Sequence, residues 1–300
     1  MQLNPAERDP VKVADWLELE ALYSKAKRFS LEALRSYIDT DGTLLEEGDE
    51  GEAVGLLPQE LSESLVADAD VEITRRKQIV DRAYPFEKAS GMLRLRSNLR
   101  SYTPYIFCLL VSDRDFYFPG DKDTSRLFEH LTREAIVAYL GGEAVRFGEP
   151  RDTMPLGIRD AIDELARITK DKKVDVYPVN DTDKDLGLDV AGWKNFSDGY
   201  LSKIEVYMQC ATGENWSKKK EDCKLAIWDK ILTCYNDRLR GLAIPYVLTG
   251  GEEWEREACG LLFMDRLRIA SVLSGKKLPD DEYKWWEWCE GRIKQGRKKS

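Results

Sequence analysis

A single histidine, His130, stands in 300 residues, and none of the six cysteines (Cys108, Cys210, Cys223, Cys234, Cys259, Cys289) forms a CxxC pair. These absences exclude a zinc site of the usual Cys/His kind. They also leave thiol catalysis without its base, so the cysteines read as small buried apolar side chains in a reducing cytoplasm. No run approaches the roughly 18 consecutive apolar residues of a membrane span, and the opening MQLNPAERDPVK lacks the apolar core of a signal peptide. Basic residues are missing from one stretch: residues 39 to 72 hold twelve acids and no Lys or Arg. Within it, residues 39 to 57 are too charged and too rich in glycine to pack, and read as an acidic loop.

That loop accounts for the overall acidity. The net charge is −9, from 46 Lys and Arg against 55 Asp and Glu. Outside residues 39 to 72 the count is 46 against 43, and from Trp216 onward it is 18 against 14. An average that argues against nucleic acid therefore hides a basic C-terminal segment, over which an acidic loop could lie as a mimic of the substrate.

With 42% hydrophobic and 10% aromatic residues, the chain has ample material for one large core or two modest ones. Apolar spacing predicts two short helices in residues 15 to 38 and another over 58 to 80. A strand or hairpin then follows at MLRLR, and a buried segment at YIFCLLVS. PGDKD (119 to 123) is a loop and a domain boundary. Residues 125 to 140 form a helix that Thr124 or Ser125 can cap, with Phe128, Leu131 and Ala135 in its buried stripe. Strands are expected at 144 to 148, 174 to 179, 188 to 193, 203 to 211 and in IPYVL, with helices over 156 to 169 and 215 to 235 and a tryptophan-rich C-terminal helix. The fold class is α/β, a mixed central sheet flanked by helices, with a mainly helical N-terminal region. Residues 1 to 120 make that region and 121 to 300 a second domain with a helical C-terminal extension.

The chemistry concentrates in residues 183 to 220. Asp189 opens one strand, and Gln209 lies near the end of the next, on the face shared by Lys203, Glu205 and Tyr207. Oxygen donors at neighbouring strand ends suit Mg²⁺ or Mn²⁺. Each residue also has a plainer reading. Asp189 can cap a turn in DLGLD, Asp185 can belong to that same turn, Gln209 can be a polar strand edge, and Glu129 can face solvent. His130 beside Glu129 reads as structural. Trp285, Trp286 and Trp288 read first as packing and second as a base-stacking surface, while Arg266 and Arg268 read as solvent-facing or phosphate-touching.

A helix bearing Phe128-Glu129, then Gly187-x-Asp189, then a strand ending in Gln209 resembles the PD-(D/E)xK nuclease superfamily, in particular its Mrr-like restriction branch. The stretch QCATGENW with the lysines after it, and GLLFMDRLRIA downstream, also resembles bacterial proteins that carry such a domain. The resemblance runs best over 124 to 232. It implies a restriction-endonuclease-like core, Asp189 and Gln209 as metal ligands and Glu129 as an extra acidic ligand on the first core helix. It further implies Mg²⁺- or Mn²⁺-dependent cleavage of DNA in restriction-type or anti-phage defence, with a partner protein of a multi-gene system. Cutting two strands calls for a homodimer. The pattern departs from the family at Ala211, where the lysine belongs; Lys218, Lys219 or Lys220 replaces it from the segment that follows. The alternative is a catalytically inactive module of the same fold that binds DNA or a partner protein.

Overall fold

The computed structural model describes residues 9–34, 58–113, 122–174, 176–198, 200, 202–233 and 235–296. The acidic loop at 39 to 57 and most of the PGDKD segment lie outside them. Among the described residues no helix is long and apolar enough to cross a membrane. The chain divides into two compact units, Met1–Tyr117 with Lys284–Ser300, and Phe118–Tyr283. The C-terminal helical extension, expected in the second domain, thus belongs to the first unit.

In the first unit, helix α1 (Pro10–Tyr23) starts where the Asp9 side chain accepts from Val11 N at 2.9 Å, with proline in its first turn. Strand β1 (Arg28–Ser30) interrupts the region read as two helices, and of the second helix only residues 31 to 34 are described. Helix α2 (Pro58–Val80) matches its expected span. Strands β2 (Phe86–Ala89) and β3 (Met92–Leu95) form the hairpin, and β3 also pairs antiparallel with β1. YIFCLLVS lies in helix α3 (Thr103–Ser112), buried on every side. The late helix α4 (Trp285–Gln295) buries Trp285 and sets Trp288 at 4.9 Å from Phe107, which favours the packing reading of the tryptophans.

A buried charge cluster ties this unit together. The Arg76 guanidinium reaches Asp15 at 2.6 Å, Glu72 at 2.8 Å and Glu18 at 3.2 Å, and donates to Val11 O at 2.8 Å. Tyr84 and Tyr105 donate to Glu18 at 2.7 and 2.9 Å. Removing the Arg76 guanidinium would strip Asp15, Glu18 and Glu72 of a shared buried partner, which costs about 3–5 kcal/mol. Arg76→Met should therefore lower the urea midpoint of this unit far more than a surface substitution such as Lys12→Met.

The second unit is mixed α/β. It comprises helix α5 (Lys122–Leu140), strand β4 (Glu143–Arg146), helix α6 (Ile158–Thr169), and strands β5 (Lys172–Lys173), β6 (Val190–Lys194) and β7 (Ile204–Cys210). A 3-10 turn (Trp216–Glu221), helix α7 (Leu225–Trp228), β8 (Leu232–Thr233), β9 (Leu239–Ala243), helix α8 (Glu252–Ala258), β10 (Leu262–Met264) and helix α9 (Arg266–Val272) follow. Five of these strands form a sheet in the order β10-β9-β7-β6-β4, antiparallel from β4 to β7 and parallel from β7 to β10. One core on this sheet gathers Phe147, Ile158, Ile162, Leu165, Tyr207 and Trp228.

Four expectations are corrected. Residues 174 to 179 form no strand among those described: Val174 N and Val176 N donate to Ile231 O and Lys230 O without a continuing ladder. The helix expected over 215 to 235 is the 3-10 turn and the short α7, and Asn215 makes no side-chain cap. IPYVL follows a strand rather than forming one, because β9 runs over LRGLA. Helix α5 begins at Lys122, so Thr124 and Ser125 lie inside its first turn instead of capping it.

Candidate metal centre

Strands β6 and β7 are antiparallel, with Val190 opposite Met208, so Asp189 and Gln209 come together at one end of the pair. The Asp189 carboxylate is held tightly there. Its Oδ2 accepts from Gln209 Nε2 at 2.6 Å and from Cys210 N at 2.6 Å. Its backbone N donates to Met208 O at 3.0 Å, and its carbonyl accepts from Phe147 N at 2.7 Å and Gly148 N at 3.1 Å. Gln209 Oε1 is buried and has no hydrogen-bond partner. An acceptor left open beside a carboxylate has the chemistry of a cation ligand.

Glu129 arrives from α5. A Cβ built on Gly148 would sit 2.5 Å from Glu129 Oε2 and 3.2 Å from Asp189 Oδ1, so both carboxylates border the space that this glycine leaves open. Of the three residues singled out in the sequence as candidate ligands, Glu129 and Asp189 thus flank Gly148, and Gln209 bonds to Asp189. Burial pushes the Glu129 carboxyl up to about 7, against the pull of Arg146. Burial first, and then the Glu129 charge, raise Asp189 well above the carboxylate range. Among the described residues no three His, Cys, Asp or Glu side chains gather to hold an ion, and the third donor here is an amide.

The remaining candidates separate. Asp185 is half-buried and caps its own turn, its Oδ1 accepting from Gly187 N at 2.9 Å, while its charge still raises Glu129 and Asp189. Of the lysines, Lys219 has a charge that acts on Asp189, although its ammonium is paired with Asp222 at 2.8 Å. Lys220 pairs with Glu257 at 2.5 Å and lies over Trp216, and Lys218 is exposed. Ala211 is buried in an apolar cluster with Leu242, Ile244 and Phe263. His130 packs structurally, its ring stacked 4.0 Å from Tyr283 and its Nε2 2.8 Å from Asp152. Arg266 is buried, with Nε on Pro245 O at 3.0 Å, so neither solvent-facing nor phosphate contact fits it; Arg268 lies over Trp254.

Sequence reasoning missed Arg146. Its side chain is fully buried, donating from Nε to Glu129 Oε2 at 2.7 Å and from Nη1 to Pro150 O at 2.7 Å and Asp152 Oδ1 at 3.2 Å. The signal was an arginine flanked by apolar residues inside a short strand, AVRFG. At the opposite end of β7 from Gln209, the same face leads into an ion network: Lys203 meets Asp171 at 2.7 Å, and Arg238 meets Asp171 at 3.2 Å and Asp229 at 2.7 Å.

The chain matches no family model, no curated protein and no solved structure.

Two outcomes follow from this geometry. Gly187 has φ +75°, and a Cβ there would overlap the Asp222 carbonyl. Gly187→Ala should cost about 2 kcal/mol or more in urea unfolding and should loosen the turn before Asp189. A carboxyl whose folded pKa lies above its unfolded value stabilises the fold at low pH. The Glu129 contribution is therefore full below about 4.5 and is lost as pH rises through about 7. Glu129→Gln should flatten the fall in thermal stability across that window.

Proposed function

We propose that this chain is a Mg²⁺- or Mn²⁺-dependent endonuclease that hydrolyses phosphodiester bonds of DNA in restriction-type defence, built on a restriction-endonuclease-like core. One observation carries the reading: Gln209 and Asp189 are joined at 2.6 Å at neighbouring strand ends, Glu129 borders the same space, and Gln209 Oε1 accepts no hydrogen bond. The order of elements supports it as well, with a Glu129-bearing helix, three antiparallel strands that bring Asp189 and Gln209 together, and then parallel strands. Two buried carboxylates, both shifted upward, are the environment that a bound cation relieves.

Asp189 Oδ1, Gln209 Oε1 and Glu129 are the oxygens that would hold the ion. Bound there, a divalent ion lowers the pKa of a water and offsets negative charge on the leaving oxygen. Around it the chain's own groups act. Asp189 is fixed by five hydrogen bonds, so it holds its position without reorganising. Lys219 supplies the positive charge facing the phosphate once its ammonium leaves Asp222. The water oxygen bonds to phosphorus as the bond to the leaving ester oxygen breaks. That oxygen takes up a proton, giving a phosphomonoester and a hydroxyl.

A second reading rests on Ala211. With that position closed by apolar packing, the module would be catalytically inert and would bind DNA or a partner protein. One experiment separates the two. Full-length protein is incubated with plasmid, linear duplex and RNA in Mg²⁺ or Mn²⁺. On the nuclease reading the wild type cuts duplex, Asp189→Ala loses about a hundredfold or more, and Lys219→Ala loses more than Lys218→Ala or Lys220→Ala. A wild type that cuts nothing in either metal, or an Asp189→Ala variant that cuts equally well, overturns it. Retained duplex binding without cleavage then supports the inert module.

A further inference from the structure

On the nuclease reading, we infer that Arg146 is the site's built-in second cation, so that the site takes one divalent ion per chain and not two. Two-ion centres set their ions about 3.5–4 Å apart and need carboxylates that bridge them. Here each neighbouring carboxylate has already committed an oxygen to the protein. Asp189 Oδ2 is occupied by Gln209 Nε2 and Cys210 N, each at 2.6 Å, leaving Oδ1. Glu129 Oε2 is occupied by Arg146 Nε at 2.7 Å, leaving Oε1. Asp185 Oδ1 is occupied by Gly187 N, and both oxygens of Asp152 are taken, by Arg146 and by His130. Gln209 adds a donor and no charge.

The charge count agrees. Once ionised around a bound cation, Asp189 and Glu129 carry two negative charges, and the guanidinium on Glu129 returns one, which suits a single divalent ion completed by a substrate phosphate. Arg146 cannot easily leave to make room for a second ion. Its side chain is fully buried in strand β4 and pinned by Pro150 O and Asp152 as well as by Glu129. A second divalent ion at Glu129 would have to sit against that fixed positive charge in a poorly screened setting.

The test is a Mn²⁺ titration of the full chain, with free Mn²⁺ read by electron paramagnetic resonance, alone and with a cleavage-resistant phosphorothioate duplex. One Mn²⁺ per chain, weakened at least about tenfold by Asp189→Asn, is the expected result. Two Mn²⁺ of comparable affinity in the wild type overturn the inference while leaving the nuclease reading standing. No Mn²⁺ bound in either condition overturns the nuclease reading beneath it. Arg146→Gln, checked for folding by circular dichroism, should admit a second Mn²⁺ or tighten the first at least about tenfold. A folded Arg146→Gln with unchanged stoichiometry and affinity removes Arg146 from the explanation. If that variant does not fold, the wild-type stoichiometry still decides.

Discussion

The backbone and carboxylate of Asp189 hold three strands in register. Its N–H bonds to β7, its carbonyl takes two N–H groups from the chain leaving β4, and its Oδ2 takes the Cys210 N–H and the Gln209 amide. A buried carboxylate is costly unless hydrogen bonds satisfy it, and here the polar atoms of the strand ends provide them. The position of Gln209 and the approach of Gly148 follow from that arrangement, while Arg146 holds Glu129. The one Asp189 oxygen outside these bonds, Oδ1, faces the space beside Gly148.

The charge surrounding this residue is balanced in layers. Glu129 meets Arg146, Arg146 meets Asp152, and Asp152 meets His130, so positive and negative groups alternate away from the site. On the far stretch of β7, Lys203, Asp171, Arg238 and Asp229 alternate in the same way. Pairs of this kind add little net stability, because desolvation offsets their attraction, but breaking one leaves an expensive remnant. They act as constraints on geometry, and they fix the strand face on which the candidate ligands stand.

Much of this was legible in the residues. Period-two alternation in KIEVYMQCA set Gln209 on the face of Glu205 and Tyr207, and helical spacing located α2, α5 and α6. What failed did so where side-chain pairing overrides pattern. LRGLA, with Arg238 just before it and Arg240 inside it, looks too charged for a central strand, yet Arg238 is buried among carboxylates and Arg240 reaches Glu221. The lysine-rich stretch after Trp216 has helical composition, but its backbone closes as a 3-10 turn, leaving Lys219 paired with Asp222. The apolar flanks of Arg146 in AVRFG hint at burial, but only the tertiary contact shows that its partner is Glu129.

Asp189 serves the architecture as much as any chemistry, and this bears on how such a chain changes over generations. A descendant freed of the proposed catalysis would still be selected to keep Asp189, since three strands hang on it. Gln209 Oε1 and the Lys219 ammonium satisfy no core group, so they would drift first. Among relatives of this chain, the persistence of the aspartate would therefore record only that the sheet survives, and the joint fate of the glutamine and the lysine would record whether the chemistry did.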